Sequence, residues 1–121
     1  MDAGRIIVVD DYDDTRELVE MILADAGYTV VSAANGSEAV ALAKAHMPDA
    51  VLMDLFMPGM DGVEATRLIK SDPELRSIPV VAYTAKPPST GSEADLFAAV
   101  CIKPCPPATL LATVRALMPP A

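Results

Sequence analysis

Short β-branched runs alternate along this chain with segments of helical period. Ile6, Ile7, Val8 and Val9 form a continuous apolar run, the pattern of a strand buried on both faces, and residues 5–10 are assigned to it. Residues 14–26 read as a helix with Leu18, Met21, Ile22 and Ala26 along one face, Asp13 or Asp14 as cap and Gly27 as stop. A second strand is expected over 28–33. Asn35, Gly36 and Ser37 make a turn and cap for a helix from 38 to about 46, which Pro48 closes off. The third strand covers 50–54, and a Pro- and Gly-bearing loop leads to a helix from about 62 to 70. Strands four and five are expected over 78–83 and 99–103. Between them Lys86, Pro87, Pro88 and Gly91 resist helix, which confines any helix there to about 92–98. Pro106 and Pro107 open a last helix with Leu110, Leu111, Val114 and Leu117 inward, and Pro119 and Pro120 end it.

Five apolar strands alternating with helices predict an α/β fold, a parallel sheet with helices on both faces. In such sheets ligands sit beyond the carboxyl ends of the strands, where the strand order reverses. Two of the runs stop on acids there, the first on Asp10 and Asp11 and the third on Asp54, while Thr84 and Lys103 fall at or just past two other strand ends. Taken singly, each has an ordinary reading. An acid at a strand end forms turns or caps helices, a threonine there is structural, and a lysine before proline is a solvated surface residue. Together they describe a crevice with three carboxylates, whose mutual repulsion requires a cation. Hard oxygen donors without His or Cys select Mg²⁺. An aspartate beside such an ion can accept a phosphoryl group, with a lysine ammonium and a hydroxyl to neutralise the phosphoryl oxygens. Arg16 and Arg67 fall where either could touch this region.

At 121 residues, 52% of them apolar, the chain is long enough for one core and is expected to be a single domain over 1–121, with its core at about 5–117. The formal charge of -8, with 9 scattered Lys and Arg, argues against nucleic acid as a partner. No apolar run approaches the ~18 residues of a membrane span. The first residues lack the basic flank and apolar core of a secretion signal, so no membrane association and a cytoplasmic location are expected. Cys101 reads as a buried strand residue and Cys105 as an incidental thiol, with no nearby His to complete a metal site.

Val9, Asp10 and Asp11, the block LMDLFMPGMDG over 52–62, Tyr83 with Thr84 and Ala85, and Lys103 with Pro104 together resemble a response-regulator receiver domain of two-component signalling. The central block is the most specific of these, and the resemblance runs from about 5 to 117. It implies a flavodoxin-like, doubly wound five-stranded sheet of order 2-1-3-4-5. It also implies a phosphoryl group taken by Asp54 from a histidine kinase or histidine phosphotransferase, followed by docking on a downstream protein. Asp11 and Asp54 would ligate Mg²⁺ with the backbone carbonyl of Phe56, and Asp10 would hold a metal-bound water. Thr84 and Lys103 would contact the phosphoryl oxygens, and the Lys103–Pro104 bond would be cis. Such a module catalyses only its own acylation and slow hydrolysis. A phosphatase acting on external substrates through the same intermediate would need an acid two positions after the nucleophile, where Phe56 stands.

Two features depart from the family's pattern. Val100 occupies the position, three before the lysine, where the family carries the aromatic that couples to the threonine. The segment between Thr84 and Lys103 is also short for the family. These departures favour an alternative, a degenerate receiver acting as a phosphate-independent interaction scaffold, while the intact set of five site residues favours phosphorylation.

Overall fold

The computed structural model describes residues 4–86 and 93–118. Its elements are β1 (Arg5–Val9), α1 (Asp13–Asp25), β2 (Thr29–Ala33), α2 (Gly36–His46), β3 (Ala50–Met53), α3 (Gly62–Ser71), β4 (Val80–Thr84), a 3-10 turn (Ala94–Leu96), β5 (Ala99–Ile102) and α4 (Pro107–Leu117). The five strands form one parallel sheet in the order β2-β1-β3-β4-β5, as expected.

Period-two alternation along the strands divides the core into two layers. Ile7, Val9, Val51, Met53, Val80 and Ala82 face Ala39 and Ala43 of α2 and Ala65 and Ile69 of α3. Ile6, Val8, Leu52, Val81, Tyr83 and Cys101 face Val19 and Leu23 of α1 and Leu110 and Val114 of α4. Because β1 beyond Arg5 and all of β3 are covered on both sides, they contain no further outward polar position, which is why residues 6–9 and 50–53 read as unbroken apolar runs.

The helix ends follow local chemistry. Asn35 caps α2 by accepting from Glu38 N–H at 2.9 Å, and Asp61 caps α3 by accepting from Glu64 N–H at 2.9 Å. At the end of α1, Gly27 takes φ +101°. Its N–H donates to Ala24 and that of Tyr28 donates to Leu23, a Schellman arrangement that satisfies the last carbonyls.

Three expectations need correction. The inward stripe of α1 is Val19, Ile22, Leu23 and Ala26, whereas Leu18 and Met21 are 56% and 60% exposed. Both stripes have helical spacing, and the sheet contact at Ile6 and Val8 selects the one containing Val19. Neither Asp13 nor Asp14 caps α1: the cap position is Tyr12, without a side-chain bond, and the two acids form the first turn, where they complement the helix dipole. In place of the helix expected over 92–98, the described residues contain only the turn Ala94–Leu96, and position 92 lies outside them.

Leu52 is fully buried at the centre of the sheet. Leu52→Ala should cost about 2–5 kcal/mol of unfolding free energy in a urea titration, through lost burial plus the cavity left behind.

Candidate functional site

The strand order reverses between β1 and β3, and the ladder of backbone bonds continues one residue beyond the strand ends there. Asp10 N–H donates to Ala33 at 3.1 Å and Asp54 N–H to Val9 at 2.9 Å. On the other side of β3, Lys103 N–H donates to the Thr84 carbonyl at 2.8 Å. These bonds fix the backbone of Asp10, Asp54 and Lys103 as firmly as that of the strands. Gly62 brings the start of α3 so close that a Cβ there would collide with the carbonyl oxygen of Asp54.

Carboxylate oxygens of Asp10, Asp11 and Asp54 lie within 4.8 Å of one another. Asp10 is 1% exposed and Asp54 6% exposed, while Asp11 faces solvent. The Lys103 ammonium donates to Asp10 Oδ2 at 2.8 Å and reaches Asp54 Oδ2 at 3.5 Å. It also stands 5.1 Å from the centre of the Tyr83 ring. The other carboxylate oxygens are held locally: Asp10 Oδ1 accepts from Tyr12 N–H at 2.9 Å, and Asp54 Oδ1 accepts from Phe56 N–H at 3.2 Å. Thr84 is buried at the end of β4, where its hydroxyl oxygen accepts a long 3.4 Å contact from Lys86 N–H. Phe56 is 59% exposed beside the crevice, and the Lys103–Pro104 bond is cis.

Burial pushes the Asp54 carboxyl above its usual range, and the charge of Asp10 acts in the same direction. The Phe56 N–H and the Lys103 ammonium pull it back only in part. Burial would lower the lysine's pKa, but the hydrogen bond and charge of Asp10, followed by those of Asp54, outweigh it, so the ammonium is held above its ordinary range. The crevice is thus a cluster of three acids against one fixed cation, and its donors are all hard oxygens. This donor set fits a small, oxygen-loving divalent ion.

Of the two arginines the sequence left open, Arg16 reaches the site region: its guanidinium donates to the Asp10 carbonyl oxygen at 2.8 Å. Arg67 lines a cavity of about 400 Å³ with Asp61 and with Leu55 and Phe56, just past Asp54 in the chain. The contact of Tyr83 with Lys103 was not legible, because a strand residue's ring partner depends on where a lysine twenty positions later returns.

A family model for the response regulator receiver domain matches residues 6–115. The chain belongs to the receiver family. Protein PilH of Pseudomonas aeruginosa is 37% identical over 118 residues, covering 95% of this chain and 98% of PilH. Response regulator PleD of Caulobacter vibrioides is 45% identical over 83 residues, covering 69% of this chain but only 18% of PleD. Among solved structures, Vibrio cholerae chemotaxis protein CheY4 is 28% identical with a TM-score of 0.86, covering 95% of this chain and 98% of CheY4. Receiver domains are phosphorylation-controlled signalling modules of two-component systems, not enzymes in the ordinary sense, and they bind Mg²⁺ at an acidic pocket. No helix among the described residues is long and apolar enough to cross a membrane.

A carboxyl whose pKa rises on folding destabilises the folded state once ionised. That penalty is absent below the ordinary value of 3.8 and grows as pH climbs through the folded value. In a chelator, Asp54→Asn should therefore melt above the parent protein at neutral pH, with the gain shrinking toward zero below pH 3.8. Melting curves across that range check this, and a pH-independent gain would contradict it.

Proposed function

We propose that Asp54 is the phosphoryl acceptor of a two-component signalling module, taking the group from a phosphohistidine on a histidine kinase or histidine phosphotransferase. The observation that carries this reading is the Lys103 ammonium, set 2.8 Å from Asp10 and 3.5 Å from Asp54 at the reversal of strand order. A carboxylate oxygen of Asp54 attacks phosphorus, the P–N bond to the donor imidazole breaks, and the imidazole leaves with its electron pair. Asp11, Asp54 and the Phe56 carbonyl would hold Mg²⁺, with Asp10 holding a water of its hydration shell. When bound, the ion neutralises charge on the acids and on the phosphoryl oxygens.

The remaining work falls to this chain's own groups. Lys103 is already charged and aimed between two carboxylates, so it meets the incoming anion without a large reorganisation. Thr84, fixed at the end of β4, offers its hydroxyl to a second phosphoryl oxygen. A protein donor is supported by the face beside the crevice: Leu18, Tyr83, Lys103 and Pro104 line a cavity of about 350 Å³, and Leu18 and Met21 stand exposed on α1. The module then acts in the cytoplasm by docking on a downstream protein.

The second reading, a phosphate-independent scaffold, draws on Val100, which is 43% exposed in β5 where the family carries a ring. Acetyl phosphate with Mg²⁺, followed by intact mass, separates the two. An acid-labile adduct lost in Asp54→Asn supports acceptance of phosphate, and no adduct supports the scaffold.

The lifetime of the phosphorylated form offers a further check. Phe56 places an apolar ring beside the acceptor and screens the acyl phosphate from water. Phe56→Asn should speed loss of the group several-fold, on the order of 1 kcal/mol of barrier, when decay is followed by mass after removal of acetyl phosphate. Unchanged decay would dismiss a screening role.

A further inference from the structure

Arg16 lies one turn into α1, yet its side chain reaches back over the loop that joins β1 to the helix. Nη1 donates to the Asp10 carbonyl oxygen at 2.8 Å and Nη2 to Asp13 Oδ1 at 2.7 Å, while Nε lies 4.0 Å from Glu20 Oε1. Its backbone N–H closes the same turn by donating to the Tyr12 carbonyl at 3.0 Å. The side chain is 16% exposed, packed down rather than extended into water.

The atom it grips matters. The Asp10 carbonyl belongs to the peptide unit that joins Asp10 to Asp11, and the tilt of that unit sets the direction in which Asp11 leaves the strand. Asp10 has other restraints: Ala33 accepts from its N–H, Tyr12 N–H donates to Oδ1 and Lys103 donates to Oδ2. Asp11 has no such anchor. Its carboxylate is exposed and receives no side-chain or backbone donor among the described residues, so its position within 4.8 Å of Asp10 and Asp54 depends on the backbone beneath it.

We infer that Arg16 is a positioning residue for the acidic crevice, fixing the peptide between Asp10 and Asp11 so that Asp11 presents its carboxylate to the same cation as Asp54. This rests on the Mg²⁺-dependent reading above. Two effects oppose each other. A guanidinium near a cation site repels the cation, whereas a bond that orders a ligand favours binding. Asp13 and Glu20 already offset the guanidinium's charge, which leaves the ordering effect dominant. Hydrogen bonds that orient metal ligands typically govern affinity by about 10–100-fold.

The test is calorimetric titration of the whole chain with Mg²⁺ alone, for the parent, Arg16→Met and Arg16→Lys, alongside thermal melts in chelator. Arg16→Met removes both charge and donors while keeping an apolar stem. Arg16→Lys keeps the charge but cannot span Asp10 and Asp13 with a planar fork. Positioning predicts Mg²⁺ binding about tenfold or more weaker in Arg16→Met, and weaker than the parent in Arg16→Lys as well. It also predicts faster amide exchange at Asp11 and Tyr12 in both variants. A purely electrostatic role predicts tighter binding in Arg16→Met and parental binding in Arg16→Lys, and either result would overturn the inference. Should Arg16→Met fail to fold, Arg16→Gln, neutral and too short to span Asp10 and Asp13, replaces it and should bind Mg²⁺ more weakly than the parent; binding at or above the parental level would overturn the inference. A parent that takes up no Mg²⁺ sinks the underlying reading and this inference with it. A parent that binds Mg²⁺ and forms the Asp54 adduct, with variants binding equally well, sinks the inference alone.

Discussion

The pairing of Lys103 with Asp10, 2.8 Å apart at the mouth of an apolar sheet, is the constraint around which the rest of the molecule is arranged. Asp10 and Asp54 are almost wholly buried, and a buried carboxylate without a partner is among the more expensive features a fold can contain. One lysine cannot fully compensate two such acids, and the upward displacement of the Asp54 pKa is the residue of that shortfall. That cost is concentrated at one point, while β1 beyond Arg5, β3 and β4 are buried along their lengths. A site left short of positive charge is also a site prepared to gain it.

The sheet makes this concentration possible. Parallel strands deliver all their carboxyl ends to one edge, and the reversal of order between β1 and β3 leaves a gap there that no crossover covers. The backbone bonds Asp10 to Ala33, Asp54 to Val9 and Lys103 to Thr84 then extend the rigidity of the strands by one residue into the site. The crevice therefore has the precision of a sheet rather than of a loop. Of the three acids, Asp11 has no such bond among the described residues, and the Arg16 guanidinium holds the carbonyl of the peptide that precedes it.

Sequence reading located the acids because they interrupt apolar runs, a conflict with packing visible without coordinates. The strand positions are legible for the same reason: β3 is wholly apolar, and β4 is apolar until it ends on Tyr83 and Thr84. The inward face of α1 was not, since Leu18 and Met21 repeat with the same period as Val19, Ile22 and Leu23, and hydrophobicity alone cannot choose between adjacent stripes. Its cap was misread for a related reason. Asp13 and Asp14 have the right chemistry, but Arg16 N–H closes the first helical turn on the Tyr12 carbonyl, which puts both acids inside that turn, and the Arg16 guanidinium engages Asp13. Long-range contacts such as that of Tyr83 with Lys103 depend on strand register, which no local pattern encodes.

That register also bears on how a change at the site could leave it. Val100 pairs with Ala82, and Ile102 with Thr84, so alternation places both side chains on the face that α2 and α3 share. Tyr83 pairs with Cys101 and points to the opposite face, toward α1 and α4. Tyr83 therefore cannot stand in for a ring at position 100, because the sheet lies between them. The aromatic in contact with Lys103 belongs to the layer that contains Val19 and Leu110, beside the exposed Leu18. A displacement of the Lys103 ammonium would be felt first in that layer, where a cation leaving a ring changes the packing of β4 against α1 and α4. The aromatic nearest the acids in this chain is thus Tyr83, on the α1 side of the sheet, the side on which Leu18 and Met21 stand exposed.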